Sequence, residues 1–232
     1  MEHLIRTIGF DADDTLWHNE SVFRLTQEQI FDMLADHAEP DTIGEKLLAA
    51  ERRNLGLYGF GVKGFTLSMI ETAIEVTSGK VPASTIKEIL EAGRAMLSHP
   101  VETLPGVQET LEAVAPHYSL ILITKGDLFD QERKLAQSGL GDWFDGVEIV
   151  SNKTPDVYER IFGDTPGGPG SAMMVGNSLK SDVIPAIEAG SWGVHVPHDT
   201  TWALEHAEPP EDADRFRQIT SIERLPALLE AL

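Results

Sequence analysis

The sequence predicts an α/β fold, a doubly wound parallel sheet with a small all-helical cap domain. Three observations carry this expectation. A short apolar run, Ile8 to Phe10, is followed at once by the acids Asp11, Asp13 and Asp14, as at the polar end of a buried strand. From Leu104 onward, strand-like and helix-like segments alternate, the pattern of a parallel sheet with right-handed crossovers. Between these two regions, residues 17–100 carry helical periodicity and no strand of convincing alternation. The expected division is a core formed by 1–16 and 101–232, with a helical cap, 17–100, inserted after the first strand. A lid over the carboxyl edge of the sheet has to sit there.

The elements follow in order. Val22, Leu25, Ile30, Met33 and Leu34 recur at helical spacing over 20–37, with Ser21 as the expected amino-terminal cap. A second helix covers about 42–55 and ends in Gly56–Gly64, four glycines in nine residues with one cation, Lys63. Residues 65–77 and, after Pro82, residues 84–97 complete the helical stretch. Val107 to Val114 is a short helix, and Tyr118 to Thr124 is a continuous β-branched-rich run, as in a strand covered on both faces. Leu128 to Ser138 is a helix stopped by Gly139, and Gly146 to Val150 a strand. Pro155 opens the next helix, to Phe162, where a missing N–H costs nothing. A loop over 165–170, a strand over 172–175, a helix over 183–189 and a last sheet strand over 192–196 follow. Residues 197–214 read as a surface excursion and 222–232 as a closing amphipathic helix.

Charge and composition narrow the function. With 18 basic and 38 acidic residues the formal net charge is −20, which argues against nucleic acid polymers and anionic membranes as partners. A small anionic substrate stays compatible, because a local cation can override the global field. The 41% apolar content is ample for a core. There are no cysteines, hence no disulfides, and a structural zinc site would lack its usual thiolates. Met1 to Arg6 carries no secretory signal pattern, and no apolar run approaches the ~18 residues of a membrane helix. The expected location is the cytoplasm.

Chemistry gathers at the strand ends. Three carboxylates within residues 11–14 repel one another unless a cation, hydrogen-bond donors or water compensates. Alone, the string fits a solvated acidic turn as well as a metal site with an acid nucleophile. The second strand ends in Thr124-Lys125-Gly126-Asp127, a hydroxyl and a glycine turn suited to an anionic oxygen. The third is followed by Asn152-Lys153-Thr154-Pro155, and the fourth by Gly176-Asn177-Ser178-Leu179-Lys180-Ser181-Asp182. Two acids, a hydroxyl, a cation and an Asn/Asp pair thus arrive from four strand ends. The histidines (His18, His99, His117, His195 and His198 among them) are scattered without metal spacing. Asp14 is expected to bond local backbone donors.

This ordered set resembles the haloacid dehalogenase superfamily, chiefly its phosphohydrolase branch with a helical cap after the first motif. The resemblance rests on D-A-D-D-T at 11–15, L-I-L-I-T at 120–124, N-K-T-P at 152–155 and V-G-N-S-L-K-S-D at 175–182. L-P-G-V at 104–107 and the A-x-x-A-G-x-x-G-V run from Ala186 to Val194 add to it. It implies a Rossmann-like core and Mg²⁺-dependent hydrolysis of a small phosphorylated metabolite. Asp11 would be the nucleophile, giving an aspartyl-phosphate. Asp13 would act as general acid and then base, and its backbone carbonyl would bind Mg²⁺. Thr124 and Lys153 would hold phosphoryl oxygens. Lys125 and the cap residue Lys63 are further candidates for substrate binding. Asp11, Asp13, Asn177 and Asp182 are the implied metal ligands.

One position departs from the family pattern: its fourth motif usually begins Gly-Asp, and here it is Gly176-Asn177. Asparagine ligates through its amide oxygen without contributing charge, so weaker Mg²⁺ binding is expected. Dehalogenases use no metal, yet they lack the second acid of the first motif, which is present here as Asp13. A phosphomutase using the same aspartyl-phosphate, and a non-catalytic phospho-ligand binding module, stay open as alternatives.

Overall fold

The computed structural model describes residues 5–232; residues 1–4 of the amino-terminal run lie outside them. The chain divides into two compact units. One comprises the described residues up to Glu20, with Val101–Lys125 and Gln131–Leu232; the other comprises Ser21–Pro100 and Gly126–Asp130. In chain order the elements are β1 (Thr7–Phe10), α1 (Glu20–Leu34), α2 (Pro40–Tyr58), α3 (Val62–Val76), α4 (Ala83–Leu97), α5 (Val107–Val114) and β2 (Ser119–Lys125). There follow α6 (Leu128–Ser138), β3 (Gly146–Val150), α7 (Pro155–Gly163), β4 (Ala172–Gly176), α8 (Ile184–Glu188), β5 (Trp192–His195), β6 (Phe216–Gln218) and α9 (Leu225–Ala231).

In the first unit, the described strands form a six-stranded sheet in the order β3-β2-β1-β4-β5-β6, with every pairing parallel. Thr7 of β1 lies opposite Ser119 on one side and Ala172 on the other. Strand β1 is therefore covered on both edges, and all four residues are buried. Ile8 and Phe10 point to one face, with Leu120, Leu122, Met173 and Val175. The other face holds Ile123, Met174, Tyr158 and Phe162. Gly9 belongs to that second face. A Cβ there would come within 2.8 Å of Ile123 and 3.0 Å of Phe162, so the absent side chain is what lets α7 approach the sheet. Each fully buried Ile or Phe stabilises by roughly 1.5–3 kcal/mol.

In the second unit α1 to α4 bury Ile30, Leu34, Ile43, Leu47, Phe65, Met69 and Ile89 among themselves. Gly93 of α4 admits the Thr66 hydroxyl of α3, which would lie 2.3 Å from a Cβ at that position. The buried Asn54 amide donates to Ser68 Oγ at 3.1 Å and to Glu71 at 2.8 Å, so its polar group is not left unsatisfied.

Several sequence expectations need correction. Ser21 does not cap α1. The helix already starts at Glu20, and the Asp14 carboxylate accepts the backbone N–H groups of Asn19 and Glu20 at 2.9 and 3.0 Å. The break expected at 56–64 shrinks to Gly59–Gly61. Helix α2 runs through Gly56, and only Gly59 and Gly61 take positive φ, +74° and +109°. A lone glycine costs a helix only about 1 kcal/mol, and Lys63 sits in the first turn of α3. The helix expected over 183–189 begins earlier, as a π-helical turn, Leu179–Val183, running into α8. Strand β5 is not the last, since β6 pairs beyond it. The excursion over 197–214 contains a 3-10 turn, Ala203–Glu205. The closing helix starts at Leu225, after a 3-10 turn over Ile222–Arg224, because Pro226 has no N–H to continue the ladder.

Candidate active site

Parallel pairing brings the carboxyl ends of β1, β2, β3 and β4 to one edge, and the residues just past each strand build the site. After β1 the chain makes a tight turn. The N–H groups of Leu16 and Trp17 bond to Ala12 O, and that of Asp14 bonds to Trp17 O. The turn buries Ala12, Leu16 and Trp17 completely and leaves Asp11, Asp13, Asp14 and Thr15 to polar partners. Asp14 takes φ +61°, a backbone conformation that Asp tolerates better than most residues.

Asp11 is the centre of a buried cluster. Its Oδ1 accepts from Lys153 Nζ at 2.5 Å and its Oδ2 from Thr15 Oγ1 at 2.8 Å. The same ammonium donates to Asp182 Oδ1 at 2.6 Å, and the Lys153 side chain is only 1% exposed. Asp182 Oδ2 accepts the Ser178 N–H at 2.9 Å, while the Asn177 N–H donates to Thr15 Oγ1 at 3.1 Å. Gly176 makes this arrangement possible, since a Cβ there would lie 2.3 Å from Asp182 Oδ2. Two carboxylates therefore share one ammonium, leaving one negative charge uncompensated. Burial, then repulsion from Asp182, pushes Asp11 up to about 6 against the pull of Lys153. Burial works against the Lys153 charge, but Asp11 and Asp182 hold its ammonium well above the usual lysine range.

Asp13 faces a different set of partners. Its carboxylate accepts from Trp17 Nε1 at 2.7 Å, Gln131 Nε2 at 2.8 Å and Lys134 Nζ at 2.9 and 3.1 Å. Burial would raise its pKa, but Lys134, Gln131 and Trp17 together hold it below the ordinary aspartate value. In this position the Asp13 carboxylate is ionised. Lys134 also donates to Asn19 Oδ1 at 2.7 Å.

Thr124 is buried at the end of β2. Lys125 donates to Ser181 Oγ at 2.7 Å and to Glu205 Oε1 at 2.6 Å. Lys63 belongs to the second unit, where its ammonium pairs with Asp127 at 2.7 Å and lies 6.0 Å from the Phe129 ring centroid. Of the expected site residues, the structure thus links Asp11, Lys153 and Asp182 directly, with Asn177 joined through Thr15. Sequence reasoning missed Gln131, Lys134, Ser178, Ser181 and Glu205. Gln131 and Lys134 stand three apart on α6 and share a helix face, but nothing in the sequence ties that face to Asp13.

The donor set suits a hard cation. Asp11, Asp182, the Asn177 amide and the backbone at Asp13 offer oxygen only, and the Asp11–Lys153–Asp182 cluster has negative charge to spare. Among the described residues no three His, Cys, Asp or Glu side chains cluster as a metal cage. Mg²⁺ fits a set of this kind, because it binds through one or two carboxylates and keeps several waters.

Residues 5–190 match the family described as haloacid dehalogenase-like hydrolase. A haloacid dehalogenase-like family hydrolase of Xanthomonas campestris superposes with a TM-score of 0.88 at 42% identity, covering 98% of this chain and 91% of that one. The pyrimidine 5'-nucleotidase of Escherichia coli is 24% identical over 96% of both chains. The glyceraldehyde 3-phosphate phosphatase of Methanothermobacter thermautotrophicus is 23% identical over 88% of this chain and 92% of its own. Among the described residues no helix is long and apolar enough to cross a membrane. With the family matched over most of its length and a relative at 42% identity along nearly all of it, the chain belongs to the haloacid dehalogenase-like hydrolases.

Proposed function

We propose that the protein is a Mg²⁺-dependent phosphomonoesterase acting on a small phosphorylated metabolite through an aspartyl-phosphate on Asp11. The observation that carries this reading is the buried Asp11 carboxylate at the end of the central strand, oriented by Thr15 and held beside the Lys153 ammonium. One Asp11 oxygen attacks phosphorus in line, a P–O(Asp11) bond forms, and the bond to the leaving oxygen breaks. Asp13, once it has taken up a proton on ester binding, supplies the proton that the leaving alkoxide needs. It then takes one from the water that attacks phosphorus, regenerating Asp11 and releasing inorganic phosphate. In the position described, its carboxylate is ready for the second of these steps. Lys153 stabilises the negative charge spread over the transferring oxygens, and the hydroxyl of Thr124, near the end of β2, donates to a further phosphoryl oxygen. Mg²⁺ would be held by Asp11, the Asp13 carbonyl, Asn177 and Asp182, and would neutralise the charge of the phosphoryl group.

The names of the two enzyme relatives, a nucleotidase and a phosphatase, support hydrolysis of small phosphate esters. The test is phosphate release from a panel of nucleoside monophosphates, sugar phosphates and small phosphoacids, with Mg²⁺ and with chelator. Release that needs the metal is expected. Conversion of a sugar phosphate to its isomer without free phosphate would replace the hydrolase reading with a mutase, and no turnover at all would leave a binding module.

A further inference from the structure

Glu205 stands apart from the other acids of its segment. Asp199, Glu208, Glu211, Asp212 and Asp214 are more open to solvent, whereas the Glu205 side chain is 13% exposed. Its Oε1 accepts from Lys125, and its Oε2 accepts from Ser178 Oγ at 2.7 Å and Ser181 Oγ at 2.5 Å. Ser178 Oγ in turn accepts the Ser181 N–H at 3.0 Å, and the Ser181 carbonyl accepts the Tyr158 hydroxyl at 2.9 Å. A second strap lies alongside, from Lys180 Nζ to Leu204 O at 2.6 Å. Ser178 follows Asn177 and Ser181 precedes Asp182, so one carboxylate holds both ends of the turn between the candidate metal ligands. It also holds the lysine that follows Thr124.

We propose that Glu205 is a positioning residue of the active site: it is the counter-ion of Lys125 and fastens the end of β2 to the turn after β4. The proposal rests on the phosphatase reading for its kinetic consequences, but its geometry does not depend on that reading. A carboxylate already engaged by three protein donors would repel a phosphate rather than bind it, so Glu205 acts through the groups it holds. Burial lowers Lys125 below the usual lysine range, and Glu205 opposes that shift. Lys153 and Asp182, the other charged groups acting on Lys125, work against and for its charge respectively. Without Glu205, a buried amine near Lys153 would lose its proton at a lower pH, and the Ser178–Ser181 turn would lose its anchor.

The experiment is the pH profile of p-nitrophenyl phosphate hydrolysis by wild type, Glu205→Gln, Lys125→Met and the double variant, with inorganic phosphate binding followed by calorimetry in Mg²⁺. Glu205→Gln should lower kcat roughly tenfold or more with a smaller change in KM, and move the alkaline limb to lower pH than in wild type. In the Lys125→Met background the same change should add less than about twofold, because the two residues act as a unit. Wild-type kcat and pH profile in Glu205→Gln, or multiplicative losses in the double variant, would overturn the proposal. If Glu205→Gln does not fold, the kcat of Lys125→Met decides: a wild-type kcat there overturns the pairing's role. A wild type that binds phosphate but hydrolyses no ester ends the phosphatase reading alone. The clasp then stands if Glu205→Gln weakens phosphate binding roughly threefold or more, and falls if affinity is unchanged. A wild type that neither binds nor hydrolyses overturns both.

Discussion

Lys153 is asked to neutralise two buried carboxylates at once, and the residue-scale chemistry follows from that shortage. An aspartate raised from 3.8 to about 6 on folding binds its proton more tightly folded than unfolded, so ionising it costs stability as pH rises through that interval. Asp11→Asn should abolish turnover while raising Tm at pH 7.5 by about 2–6 °C without metal. The gain should vanish below about pH 4, where the unfolded aspartate is also protonated. A melting series across pH checks this, and an unchanged Tm difference at every pH would discard the charge argument. Lys153→Met, by contrast, leaves Asp11 and Asp182 facing each other without a cation. It should destabilise by about 3–5 kcal/mol at neutral pH, as when one partner of a buried pair is removed. Denaturant unfolding should show much of that loss recovered near pH 5, where Asp11 is neutral.

Elements matter here through their ends. At the end of β4, Gly176→Ala would drive a methyl group into the Asp182 carboxylate. We expect a loss of about 1–3 kcal/mol in denaturant unfolding together with an activity loss exceeding that of an alanine placed at the open Gly170. How much of this was readable beforehand depends on the range of the contacts. Strands β1 to β4 and helices α5 to α7 announced themselves, because burial on both faces and helical periodicity are local patterns. Asp11, Thr124, Lys153 and the Asn/Asp pair could be singled out for the same reason: each lies at the end of a legible strand or within six residues past it. The partners were not readable. Lys134 reaches Asp13 across 121 residues and Glu205 reaches Lys125 across 80, and no local spacing encodes such meetings. The π-helical turn after β4 escaped too. Its conformation answers to Ser178, which caps the Ser181 N–H, and to distant Glu205 more than to intrinsic propensity.

On the scale of the whole molecule, a chain of net charge −20 that hydrolyses an anionic ester, as proposed, has to present it a cationic point. Lys153 cannot do this alone, because Asp11 and Asp182 already surround it. A divalent cation on the oxygen donors at that edge would reverse the local sign. Mg²⁺ should therefore raise Tm in proportion to its occupancy, about 2.7 kcal/mol at a hundredfold excess over Kd. Asn177→Asp, which adds a charge to the ligand set, should lower the Mg²⁺ concentration for half-maximal activity by roughly threefold to tenfold. Magnesium titrations of activity and of Tm check both, and an Asn177→Asp variant with unchanged metal dependence would remove Asn177 from the ligand set.

The register of β1 has a consequence in time. This strand leads into Asp11, the proposed nucleophile, and precedes both of its neighbours, Ser119–Lys125 and Ala172–Gly176, in the chain. Its backbone donors and acceptors find their ladder partners only after most of the chain exists, so the central pairing is of high contact order and forms late. Until then Thr7–Phe10 is an apolar segment with two open edges, exposed to pairing with other chains. A nascent chain stopped before residue 172 would complete only one side of the strand, and the Lys153 ammonium beside Asp11 would still lack its second carboxylate, Asp182.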